Sequence, residues 1–136
     1  MPIPPFSGKF NYQSFYNSPI KVEDGALEGS PILAEPWTPL GTLDVLTDTV
    51  TGDVTGTLTF RPGVVLTVTG KVYSAVDPLP AFTELTGAGL GAEYRIKGWF
   101  IPTNEQIVGS VLSIGGDLAR QAVGTVGPFV CFRKSG

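Results

Sequence analysis

Histidine is missing from all 136 residues of this chain, and cysteine occurs once, as Cys131. Without histidine there is no Ser-His-Asp or Cys-His nucleophile, no histidine-ligated haem and no ordinary catalytic zinc site. One cysteine permits neither an internal disulfide nor a multi-cysteine metal centre. Charge is scarce too: charged residues make up 15% of the chain, against roughly 25% in ordinary soluble domains. The nine basic residues are scattered and the net charge is −3, so nothing resembles a nucleic-acid-binding stripe. Apolar runs of 18 residues are absent as well, so no membrane-spanning helix is expected. The opening MPIPPFSGKF lacks a positive region followed by an apolar run. It does not read as a secretory signal, and a cytoplasmic location is the expectation. Any acid–base chemistry falls to carboxylates, tyrosines, lysines or water.

What the chain does have is turn formers and alternation. Eighteen glycines, twelve prolines and 42% hydrophobic residues fit one globular domain of many short strands. Residues 1–36 carry a weak strand, Phe10–Phe15, followed by the turn signals Asn17-Ser18-Pro19, Asp24-Gly25, Gly29-Ser30-Pro31 and Glu35-Pro36. They read as an irregular arm of the same domain, adding a strand or wrapping a barrel end, and equally fit a mobile tail. Residues 37–136 read as the barrel itself. Gly41–Thr49, Val54–Arg61 and Val64–Ser74 alternate cleanly and are joined by the turns Thr51-Gly52-Asp53 and Pro62-Gly63. Turns so short make these strands antiparallel neighbours.

Asp77-Pro78-Leu79-Pro80 interrupts the sheet, and Ala81–Leu85 fits either a short strand or a helical turn. Ile107–Ile114 is apolar on both faces and is expected to be covered on both. Asp117–Ala122 fits one helical turn capped by Asp117, and Phe129–Lys134 is a last strand. Seven or eight strands in up-and-down order predict an all-β fold, an antiparallel β-barrel of about eight strands, with a β-sandwich as the alternative. Helix content is expected below about 15%, against the usual third or so.

The longest alternation follows a glycine-rich bend, in LTGAGLGAEYRIKGWFIP, residues 85–102. Tyr94, Ile96, Gly98 and Phe100 share one face, read as dry, and Glu93, Arg95, Lys97 and Trp99 share the other. The run Phe82–Phe100, with Leu85-Thr86-Gly87-Ala88-Gly89-Leu90-Gly91-Ala92 and then Gly98, resembles the bend-and-strand of allene oxide cyclase-like and dirigent-like barrels of the calycin type. Those families use a T-G-G-T-G-x-F-x-G-A-x-G-type segment; here Ala88 stands at a usual glycine and the spacing after Gly89 is shorter. The resemblance covers about 20 residues, implies a barrel with a hydrophobic cavity, and transfers no catalytic residue.

A dinucleotide loop would need a helix after the glycines, and here a strand follows. Glu93 and Arg95 are the catalytic candidates if their face lines a lumen, with Glu93 as acid–base and Arg95 opposite a carbonyl or carboxylate; otherwise they are a solvated exterior. Glu84 is a second carboxylate near a barrel mouth. Trp37, Tyr73, Tyr94 and Trp99 either pack a core or ring a ligand cavity. Asp44 and Asp48 lack a third ligand for a cation, and Cys131, flanked by Val130 and Phe132, reads as an inert buried thiol. No metal or cofactor is expected.

Two functional expectations follow. One is a cofactor-free barrel that binds a small hydrophobic molecule in its lumen, possessing at most a cyclase- or isomerase-like activity through shape and one carboxylate. The other is a non-catalytic structural or assembly protein whose barrel is filled. Low charge and a mean hydropathy of +0.20 favour a homo-oligomer in either case. Lumen volume discriminates the two, since ligand pockets start at roughly 300 Å³.

Overall fold

The computed structural model describes residues 6–17, 21–23, 26–28, 34–101, 105–115 and 123–134. Its strands are β1 (Gly8–Asn17), β2 (Lys21–Glu23), β3 (Ala26–Glu28), β4 (Ala34–Pro36), β5 (Gly41–Thr47), β6 (Asp53–Arg61) and β7 (Val64–Tyr73). They continue with β8 (Phe82–Gly89), β9 (Ala92–Ile101), β10 (Gln106–Ser113) and β11 (Val126–Arg133). The order β1-β5-β6-β7-β8-β9-β10-β11 is antiparallel throughout, and β11 pairs back onto β1 to close an eight-stranded barrel. Closure satisfies every strand edge within the ring. The expected barrel is therefore what forms, and no helix occurs among the described residues. β4 adds to the far end of β1 through Phe15–Pro36, Tyr16–Glu35 and Asn17–Ala34, while β2 and β3 pair with each other.

Alternation decides which side chains fill the ring. Along β9 Tyr94, Ile96 and Gly98 are buried, and Arg95 and Lys97 between them are exposed. The same period puts Leu43 and Val45, Val54 and Leu58, Leu66, Val68 and Val72, and Phe129 and Cys131 inside. Threonines 55, 57, 67 and 69 stand outside, where a β-branched polar side chain suits both strand and water.

Three local readings change. Gly87 and Gly89 belong to β8 itself, and the reversal is the two-residue turn Leu90-Gly91, with φ of 54° and 78°. Positive φ at both central residues is the hairpin geometry that follows sheet twist. Ala81–Leu85 resolves into this same strand, because Phe82 to Ala88 pairs with β7 on one side and β9 on the other. On β10 only Ile107, Val111 and Ser113 are buried, and Ser110 and Leu112 lie exposed, so its outer face is not covered by the described residues. The proposed turn at 117–122 lies outside the described residues.

The β5–β6 connection shows how one carboxylate fixes a turn. Asp48 Oδ1 accepts the backbone N–H groups of Val50 (2.8 Å) and Thr51 (3.1 Å), and its own carbonyl accepts from Gly52 (2.8 Å). These donors hold the exposed Asp48 carboxyl below its ordinary value, first through Thr51 and then Val50. A folded-state pKa below the unfolded one stabilises above the unfolded value, roughly pH 4, and fades as pH falls through the folded one. Asp48→Asn should therefore lower the urea midpoint at pH 7 and have a smaller effect at pH 3. An equal loss at both pH values would count against a charge-assisted cap.

Candidate functional site

The interior is the first place to look, and side chains occupy it. One end of the barrel carries the β6–β7 and β8–β9 turns; there Trp37, just ahead of β5, inserts and is buried, edge-to-face with Tyr94 at 5.9 Å. At the other end Phe6 inserts ahead of β1, with rings of Phe10 and Phe100 at 5.2 and 5.5 Å. Thr47 Oγ1 donates to the Phe6 carbonyl, and Thr47 N donates to Ser7 Oγ at 3.0 Å, which ties this segment to β5. Between the two plugs Tyr12 stacks on Phe129 at 5.5 Å. Among the described residues, two small voids remain between these side chains, one beside Trp37 and one beside Phe6, and measure about 10 Å³ each. That is room for about one water apiece.

Chemistry inside this core is quiet. Burial drives the Tyr12 phenol well above its ordinary value, with the neighbouring Cys131 adding to the shift and a Ser14 hydrogen bond opposing it. Burial likewise pushes the Cys131 thiol up. Neither group ionises near neutral pH, so neither is primed as nucleophile or base.

The candidate residues divide between two sides of the wall. Trp37 and Tyr94 point inward and meet each other. Glu93 and Arg95 stand on the outer face of β9, and Glu84 on the outer face of β8 pairs with Lys97 at 3.8 Å, half-exposed on both sides. Such a pair adds little stability. Tyr73 and Trp99 are outside too, and Phe82, which sequence reasoning passed over, joins them: Tyr73 and Phe82 stack at 4.7 Å, and Phe82 and Trp99 lie 5.1 Å apart. Its signal was available, since Phe82 and Glu84 share one face of the same alternation. Lys97 Nζ lies over both rings, 5.1 Å from Phe82 and 5.4 Å from Trp99.

Register extends these rings into a band. Tyr73 pairs with Phe82, Phe82 with Trp99, Trp99 with Val108, and Val108 with Val130, one outward residue on each of β7 to β11. Tyr73 is 39% exposed and the other four are half-buried. The loop beyond Tyr73 adds Val76 and Leu79, both exposed. Alongside the band Asp53, Lys71, Glu84 and Lys97 pair in turn across β6 to β9, alternating in sign.

A hollow of about 280 Å³ opens at the tryptophan end. Trp37, Pro39, Phe60, Val64 and Leu90 give it apolar walls, and Thr38 and Arg61 supply polar groups. Sequence reasoning missed Phe60, Arg61 and Leu90 as a group, because they come from the ends of different hairpins. Among the described residues no cluster of three or more Asp, Glu or Cys is arranged to hold a metal ion. Comparison with protein-family models, curated proteins and solved structures finds no match to this chain.

Proposed function

We propose that this chain is a non-catalytic structural or assembly barrel whose filled interior provides rigidity and whose exterior joins identical subunits. The filled interior carries the reading: voids of about 10 Å³ hold no organic ligand, whereas ligand pockets run to roughly 300 Å³ and more. With the candidate carboxylates Glu84 and Glu93 on the outer wall, no enclosed space among the described residues presents them to a substrate. Surfaces, not the lumen, then carry the function.

The contact favoured by the geometry is the band Tyr73-Phe82-Trp99-Val108-Val130. Contiguous exposed apolar surface on a small domain marks an interface, and aromatics anchor such contacts. The flanking row suits a second copy. A two-fold axis reverses the order Asp53, Lys71, Glu84, Lys97, so each Lys71 meets a Glu84 and opposite signs face each other at its centre.

Light scattering at micromolar concentration should return twice the 14.3 kDa chain mass. Trp99→Lys, which sets a second cation beside Lys97, should return one chain mass with an unchanged strand-type circular dichroism spectrum. A wild-type mass of one chain, or a dimer untouched by the substitution, would sink this reading.

A further inference from the structure

The hollow at the tryptophan end combines three features that the assembly reading does not use. It is a concavity with apolar walls, close to the size at which small-ligand sites begin, roughly 300 Å³. Its rim carries Arg61, an exposed cation that forms no ion pair among the described residues; the chain's described pairs are Lys97–Glu84 and Arg133–Glu105. Its third feature is Leu90. This residue has φ of 54°, a left-handed conformation costly for a bulky side chain, at a turn position where Asn or Gly is the usual occupant. Burial does not repay that strain, because Leu90 is 63% exposed. Leu90 lines the hollow instead, where a bound apolar group would cover it.

We propose that this hollow binds a compact aromatic anion, a carboxylate or sulfonate on a one- or two-ring body. The anionic group pairs with the Arg61 guanidinium, a planar donor fork matched to such oxygens. The rings lie against Phe60 and the edge of Trp37, under Leu90. Volume sets the class: about 280 Å³ leaves no room for a long acyl chain. The hollow is at the end of the barrel away from Tyr73, Phe82 and Trp99, so this inference stands or falls independently of self-association.

The test uses naphthalene-1-sulfonate and its neutral counterpart 1-naphthol, followed by fluorescence on the whole chain. The sulfonate should saturate one site per chain. Arg61→Gln should weaken it about tenfold, the scale of one charge-assisted hydrogen bond, and change the neutral probe less than about twofold. Leu90→Gly should weaken both probes several-fold without lowering the thermal midpoint, because glycine relieves the left-handed strain. Tyr73→Ser should leave both probes unaffected. Sulfonate binding indifferent to Arg61→Gln, or lost in Tyr73→Ser, would overturn the proposal. So would a Leu90→Gly variant that melts several degrees lower yet binds normally, since Leu90 would then be serving the fold.

Discussion

Gly109→Ala should unfold the barrel or destabilise it by about 3 kcal/mol or more, whereas Gly87→Ala should stay within about 1 kcal/mol of the parent. Both glycines sit inside strands, on β10 and β8. A Cβ on Gly109 would lie 1.9 Å from the Lys97 carbonyl oxygen and 2.7 Å from Gly98 Cα, both backbone atoms of β9. No rotamer change can move them; the two strands would have to separate, breaking the ladder between Gly109 and Gly98 that holds β10 in register. A Cβ on Gly87 meets only Leu66 Cδ1 at 3.6 Å, an ordinary contact. The alanine there also trims the freedom of the unfolded chain. Urea unfolding of the two variants decides the matter. Equal, small losses would mean that β9 and β10 do not approach as closely as the barrel requires.

Phe6→Ala should cost about 3–5 kcal/mol, the range for a fully buried aromatic. Phe6 is 1% exposed and belongs to no strand, so the loss would come from packing alone. Its removal would join the space of one ring to the void already lined by Tyr12, Leu85, Ile107 and Phe129. An apolar cavity of that kind stays dry and takes up a small aromatic guest. Benzene should therefore raise the melting temperature of Phe6→Ala and leave the parent unchanged. A Phe6→Ala variant as stable as the parent would mean that the barrel end is not sealed by this ring. The same experiment bears on function: parent protein stabilised by benzene would revive the lumen-binding expectation.

Much of the fold was legible because a two-residue period leaves few ways to arrange these strands. Val64 to Val72 and Tyr94 to Phe100 each name their own dry face, and Pro62-Gly63 is too short for anything but a hairpin. The glycine-rich run misled by its composition. Gly87 and Gly89 suggest a bend, but Gly87 is held by cross-strand pairing with both β7 and β9 and Gly89 by pairing with β9, and cross-strand pairing overrides a local preference for turning. Ile107–Ile114 misled in the opposite direction: apolar residues on both faces predict cover on both, yet Leu112 is 37% exposed.

By itself, then, the sequence determined the class of fold, the alternation within each strand and the chemistry that is out of reach without histidine. Alternation placed Tyr94 on the dry face of its strand and Trp99 on the other, and the structure finds them there. Only the tertiary structure decided that Trp37, which lies in no alternating strand, turns inward and fills the barrel end. It also decided whether the barrel is open. Lumen volume is a sum over eight strands and two plugs, and the plugs, Phe6 and Trp37, come from segments with no strand pattern to announce them. The hollow beside Arg61 has the same origin. Phe60 and Arg61 are neighbours at the β6–β7 hairpin, Leu90 lies far along the chain at the β8–β9 hairpin, and they meet only because two hairpin turns end at one rim of a closed ring.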